Sequence, residues 1–333
     1  MSSVQARHLH SGDVQKISVK EQRQAPLPRQ VTEMMAKREH RMHHWLWHEV
    51  RNNWHDYPRG VQSRLDDLGW RPPRPLMDEQ GQPDLRNHAG EDFLYMHRQM
   101  IADVNAILAE VGDPDYKRVE GWTIVPPPGD PDYPVPPAWF NPTMESFLPF
   151  SRLRRLKSDV FYYKRFVYWQ KVFTDPNFLR RVSLGELGVL IELTIHNMMH
   201  LRWGAPPGSS FPSPEDPTQG ETIPPEWDDP RYDFLVETYS SHVNPIFWKL
   251  HGWIDDRVEE WKGANGVFGN DFWEGTWVGK LPGHEPTMEA QSVHLLLEHP
   301  QVARQHLTDA EQAVAVVRKS GVRLMPFTQF PVD

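Results

Sequence analysis

The chain has 333 residues, none of them cysteine, with 17 histidines, 14 tryptophans and 32 prolines, and its 36 basic and 45 acidic residues leave a formal charge of −9. Without cysteine there can be no disulfide framework, thiolate zinc site, iron–sulfur cluster or Cys nucleophile, so any metal must be held by nitrogen or oxygen. The acidic balance gives no footprint for nucleic acid, no stretch approaches the ~18 apolar residues of a membrane span, and the start (Met1-Ser-Ser-Val) carries no leader pattern. The expectation is a cytoplasmic protein with neither a nucleic-acid nor a membrane partner.

Residues 1–30 are polar and read as a weakly ordered arm. From Val31 to about Asn53, Met34, Met35, Met42, Trp45, Leu46 and Val50 recur at helical spacing. Gly60 and Pro72-Pro73-Arg74-Pro75 break that pattern. A second helix is predicted from about Glu91 to Glu110, with Phe93, Leu94, Met100, Ile101, Val104, Ile107 and Leu108 on its apolar side. The proline run 125–137 cannot be regular helix. Leu184 to Leu201 is apolar all round and predicts a buried third helix. A proline-rich loop, 205–230, precedes a fourth helix from about Tyr232 to Trp261, and 287–319 reads as one or two amphipathic helices. The fold class is therefore mainly α, a four-helix bundle core with long Pro-rich loops that line a functional site. The division is an arm at 1–30, a domain at 31–283, and a C-terminal extension at 284–333 that packs on or covers it.

Histidines four apart on a helix share one face and can chelate one ion. Three such pairs occur, His40/His44, His44/His48 and His196/His200, more than a random scatter of 17 would give. His196 and His200 lie in the most apolar helix, where two imidazoles need something to satisfy them: backbone and water, or a metal. His251 in the next helix is a third nitrogen, with Asp255 four residues on to orient an imidazole. In the first half, Asn87-His88 precedes a helix carrying His97-Arg98, and the helix before it adds further histidines. Each half can supply three imidazoles.

Three segments resemble the type-3 copper proteins, the family of tyrosinases, catechol oxidases and hemocyanins, and most closely its bacterial tyrosinases. The first is His88 followed by Phe93-Leu94-Tyr95-Met96-His97-Arg98, where Met96 replaces an aromatic residue and Asn105 an acidic one. The second is His196-Asn197-Met198-Met199-His200 with Trp203-Gly204, and the third is Asn244-Pro245-Ile246-Phe247-Trp248 leading to His251 and Asp255, where Asn244 replaces an Asp. The resemblance spans 88–255. It implies two copper ions, with His88 and His97 at the first, His196, His200 and His251 at the second, and His48 completing the first with His44 as its alternative.

The resemblance further implies a phenol oxidase that uses O2. Such an enzyme o-hydroxylates a monophenol, or oxidises an o-diphenol or o-aminophenol to the quinone or quinone imine. Imidazole suits copper and makes thiolate unnecessary. In the family a Glu and the Asn after the first histidine of the second copper hold a water that acts as base, which puts Asn197 and Glu186 in the catalytic roles. Glu186 sits one residue off the usual offset, Glu192 lies four before His196, and Ser183 could instead cap the helix with Glu186. Arg202 is either a reader of a substrate carboxylate or a surface residue, and Phe327 and Phe330 are either a lid over the coppers or part of a packing segment. The expected partner is a small phenolic or aminophenolic substrate; a copper chaperone and a homo-oligomer are compatible with the sequence. Two rivals remain: a hemocyanin-like dioxygen-binding protein, and a mononuclear three-histidine zinc or iron enzyme built on one half of the constellation.

Overall fold

The computed structural model describes residues 27–140, 148–206, 214, 220–280, 297 and 299–322. They form a mainly helical fold. Its elements are α1 (Arg29–Met35), α2 (Arg38–Asn52), α3 (Arg59–Asp67), α4 (Ala89–Val111), α5 (Phe150–Leu156), α6 (159–173), α7 (Pro176–Leu179), α8 (184–203), α9 (Pro245–Asn265) and α10 (Pro300–Lys319). Among the described residues the β structure is one isolated bridge, Met77 to Pro83.

Local chemistry explains most of these boundaries. The predicted helix 31–53 is two helices, α1 and α2, because the chain breaks at Ala36 and Lys37. The buried Arg41 guanidinium holds that break, donating to Ala36 O at 2.9 Å, Tyr232 O at 2.9 Å and Asp229 O at 3.0 Å. The helix predicted from Tyr232 starts instead at Pro245, whose missing N–H costs nothing at the first helical position. Asn244 caps it by accepting from Ile246 N at 3.0 Å. Helices α3, α5, α6 and α7 were not anticipated. Both α6 and α8 contain a π-turn, at Tyr162–Phe166 and Glu192–His196.

Three close backbone approaches set the arrangement around the future site. Where α4 crosses α8, Gly90 lies on Gly185 and Gly188; a Cβ on Gly188 would sit 2.5 Å from Gly90 C and 2.7 Å from its Cα. Where the 119–125 segment crosses α9, a Cβ on Gly252 would sit 2.5 Å from Gly121 N. The third is Gly275, whose added Cβ would lie 2.6 Å from His88 O. Nothing larger than glycine fits these crossings without moving backbone.

A single apolar core links α2, α4, α8 and α9, and six tryptophans (Trp45, Trp47, Trp70, Trp203, Trp248 and Trp253) are fully buried. Much of the tryptophan excess is thus core. Helix α10 packs on α2 and α3 through Ala310, Ala313, Val314 and Val317. It adds a buried imidazole pair, His43 Nδ1 to His306 Nε2 at 3.1 Å. That part of the C-terminal segment is a packing helix, while Phe327 and Phe330 lie outside the described residues. Among the described residues no helix is long and apolar enough to cross a membrane.

Candidate metal centre

Two sets of three buried histidines stand in the middle of the helices: His44, His48 and His97, and His196, His200 and His251. Within each set the three candidate ligand atoms lie within 4.8 Å of one another, close enough to converge on one ion. His44 and His48 lie one turn apart on α2, and His97 reaches them from α4. His196 and His200 lie one turn apart on α8, and His251 reaches them from α9.

The sets face each other. The His97 and His251 rings stack with centroids 4.1 Å apart and planes within 5°, and His97 lies 6.2 Å from His196. All six therefore share one chamber, walled by Phe93, 4.7 Å from His97 and 4.9 Å from His196, and by Phe247, 4.0 Å from His251 and 5.7 Å from His44.

The ring nitrogens are already divided between protein and chamber. His44 Nδ1 donates to Thr238 O at 2.6 Å, His97 Nδ1 to Phe93 O at 2.9 Å and His200 Nδ1 to Leu235 O at 2.7 Å. A carbonyl can only accept, so each of these rings carries its proton on Nδ1 and turns an Nε2 lone pair inward. Nε2 of His44 and of His97, and both nitrogens of His251, meet no hydrogen-bond partner among the described residues. Buried nitrogens without partners cost free energy unless something occupies the chamber. Burial, reinforced by neighbouring imidazoles, pushes His44 down to about 3 and holds His48, His97, His200 and His251 well below the ordinary histidine range. Burial likewise takes His196 to about 4. Two sets of three buried imidazoles, at least three of them with an Nε2 lone pair turned inward, could hold two borderline-soft metal ions, and nitrogen donors of this kind fit copper.

One expected ligand is displaced. His88 takes the left-handed N-cap position of α4 (φ 63°), about one-third exposed, with Nδ1 3.0 Å from Glu91 and Nε2 3.1 Å from Glu274. The Glu91 hydrogen bond raises its pKa. Nine residues along a helix is roughly 13 Å, so His88 cannot converge with His97. The structure brings both His44 and His48 within reach of His97, where the sequence analysis treated them as alternatives. Their i,i+4 spacing was the signal that identified them.

The proposed base pair is not assembled either. Glu186 is half-buried at the third position of α8, where its carboxylate accepts from Ser183 N at 2.8 Å while Ser183 Oγ accepts from Glu186 N at 3.1 Å, a complete capping box. It lies roughly 15 Å along the helix from His196. Asn197 is buried beside the chamber, with its Oδ1 accepting from His196 Nδ1 at 2.9 Å. The buried carboxylate of this helix is Glu192, held by Arg51 in a two-pronged pair at 2.7 Å on each arm.

Two other residues take roles in the frame. Arg98, next to His97, pairs with Asp255 at 2.6 Å and Glu259 at 2.8 Å, which ties α4 to α9 beside the His97–His251 stack. Asp255 thus holds an arginine rather than an imidazole. Arg202 is buried under Tyr162, Phe166 and Trp203 and donates to Leu156 O and Ser158 O, so it reads neither substrate nor solvent. A groove along the proline-rich loop is lined by Pro128, Asp130, Pro136, Arg154 and Asp159, and none of the six histidines borders it. No protein-family model matches the chain, and no curated protein matches it.

Proposed function

We propose that the two histidine sets hold a pair of copper ions and that the protein is a copper- and O2-dependent phenol oxidase. The observation that carries this reading is the face-to-face arrangement of two three-histidine sets, with one ring of each stacked at 4.1 Å. A mononuclear enzyme has no use for the second set. A copper pair so held would supply two-electron exchange with dioxygen, the chemistry needed to oxidise an o-diphenol or o-aminophenol or to hydroxylate a monophenol.

The chain's own residues contribute position, apolar walls and proton placement. His44, His97 and His200 are held by backbone carbonyls in the tautomer that leaves Nε2 for a metal. Phe93 and Phe247 wall the space between the sets with apolar rings. Hydroxylation of a monophenol also needs a group to take the phenolic proton. Glu186 is committed to a helix cap, Glu192 to Arg51, and Asn197 Oδ1 to His196. These commitments favour oxidation of an o-diphenol or o-aminophenol over hydroxylation.

The second reading is a dioxygen-binding protein without phenol access. It is favoured by the depth of the chamber, since no member of the six is more than 4% exposed. Metal analysis after copper reconstitution should give two coppers per chain. Catechol, 2-aminophenol and tyrosine then separate the readings. Coloured product from the first two supports the oxidase, two coppers with no product from any supports the dioxygen-binding protein, and a single zinc or iron per chain refutes both.

A further inference from the structure

A seventh histidine stands behind the first set. His242 lies in the one-turn helix Ser241–Val243 that leads into α9, and it is fully buried. Its Nδ1 is 3.1 Å from His44 Nδ1, and its Nε2 is 3.0 Å from Met35 O. The rings meet edge to face, 4.7 Å apart at 71°.

The hydrogen bonds around this pair have one consistent solution. Met35 O can only accept, so His242 carries its proton on Nε2 and keeps a lone pair on Nδ1. Thr238 O can only accept, so His44 carries its proton on Nδ1, and that one N–H faces both Thr238 O at 2.6 Å and the His242 lone pair at 3.1 Å. A doubly protonated His242 would set two N–H groups against each other. His242 cannot itself be a ligand of the first set, because its acceptor nitrogen points at the rear of His44, while the metal-facing atom of His44 is Nε2.

We propose that His242 is a positioning residue for the metal ligand His44: its Nδ1 lone pair acts as second acceptor of the His44 Nδ1–H and fixes the ring with Nε2 toward His48 and His97. The effect passes across the fold. The carbonyl of His242 accepts from Trp248 Nε1 at 3.2 Å, so the segment that seats His44 on α2 is also fastened to the first turns of α9, which carry His251. This inference rests on the dicopper reading of the site.

The test compares His242→Leu with His242→Asn. The two side chains have nearly one shape and both lose the bond to Met35 O, but only Asn presents an oxygen near the position of the lost Nδ1. Copper affinity is measured for each by competition with a chelator, and uncoupled Cu(II) is followed by electron paramagnetic resonance. Outer-shell partners of ligating histidines are worth about 10- to 100-fold in metal affinity. His242→Leu should therefore weaken one of the two coppers by about tenfold or more, leave the other within about threefold of wild type, and show a signal from uncoupled Cu(II). His242→Asn should restore both to within about threefold.

Two coppers held by His242→Leu as tightly as by wild type overturns the proposal, and so does an equal loss in both variants. Wild-type protein that takes up fewer than two coppers overturns the dicopper reading as well, so the two failures are distinct. Should the Leu variant not fold, 15N spectra of histidine-labelled, metal-free wild type decide. His44 protonated on Nδ1 and His242 on Nε2 is the expected pattern, and either ring in the other tautomer overturns it.

Discussion

Replacing Gly188 by alanine sets two effects of opposite sign against each other. In the interior of a helix, Gly→Ala ordinarily stabilises by about 0.5–1 kcal/mol, since alanine restricts the unfolded chain and packs the helix surface. At Gly188 the new Cβ would lie 2.5 Å from Gly90 C and 2.7 Å from Gly90 Cα, against an ordinary contact of 3.4 Å or more. The obstruction is backbone, so no rotamer change relieves it, and α4 and α8 would have to part by about 1 Å. Overpacking of this kind costs about 1–3 kcal/mol, and more where backbone must move. The steric cost exceeds the propensity gain, so Gly188→Ala should destabilise by about 1–2 kcal/mol or more, lowering Tm by roughly 1–3 °C or more at this chain size. Metal centres tolerate ligand errors of about 0.2 Å, so the separation should also loosen copper between His97 on α4 and His196 and His200 on α8. Gly263, exposed in α9 with nothing within 4 Å of an added Cβ, is the internal control, and Gly263→Ala should stabilise by about 0.5–1 kcal/mol. Differential scanning calorimetry of both variants with and without copper reads the comparison. A Gly188→Ala protein as stable as wild type, or two variants shifting in the same direction, refutes the reasoning.

Four further outcomes are expected. His44→Ala should lose one of two coppers, whereas His88→Ala should keep both; metal analysis that reverses this pattern removes His44 from the ligand set. Arg51→Leu should cost about 3–5 kcal/mol in urea unfolding by leaving Glu192 buried without its partner, and the double replacement Arg51→Leu with Glu192→Leu should cost clearly less, as buried ion pairs do. Glu186→Gln should change stability by about 1 kcal/mol at most and leave oxidase activity unaltered; a large loss of activity would return Glu186 to the chemistry. The fourth concerns acid. The metal-free fold holds His43 and His196 neutral down to about 4 and His44 to about 3, against an ordinary value of 6.5. The unfolded chain binds protons first as pH falls, so stability is unaffected above about 6.5 and declines between 6.5 and 4, by up to about 1.4 kcal/mol per pH unit for each such histidine. Urea midpoints that stay flat from pH 7 to 4.5 would contradict that environment.

The second histidine set was legible because its ligands come from uninterrupted helical patterns. His196 and His200 share a face of an apolar helix, and His251 follows an Asn-Pro start. The first set was only half legible. A match centred on His97 drew in His88, but the chain takes a left-handed turn there, and the charges that hold that turn, Glu91 and Glu274, are 183 residues apart in sequence. The His44/His48 spacing carried the better information. The break between α1 and α2 depends on Arg41 reaching carbonyls nearly 200 residues away, which no local pattern displays. Helix α6 escaped because its exposed face carries Val160, Tyr163, Val167 and Tyr168, which blurs the usual apolar stripe. The capping box at Ser183 and Glu186 was visible in the sequence, and the structure uses Glu186 for that alone.

The π-turn at Glu192–His196 gives α8 a property that a regular helix of the same length would lack. Its N-terminal half must show Gly185 and Gly188 to α4, and its C-terminal half must show His196 and His200 to α9. In a regular α-helix each residue advances the side-chain direction by about 100°, so these two obligations would be locked to one angular phase. The wider turn lets each half keep its own phase. Removing a single residue between 192 and 196 would turn the ligand face away from the chamber while leaving every remaining side chain chemically intact. The spacing of the centre is therefore encoded as an angle as well as a set of residues, and an insertion or deletion in that turn would be more damaging than most substitutions there.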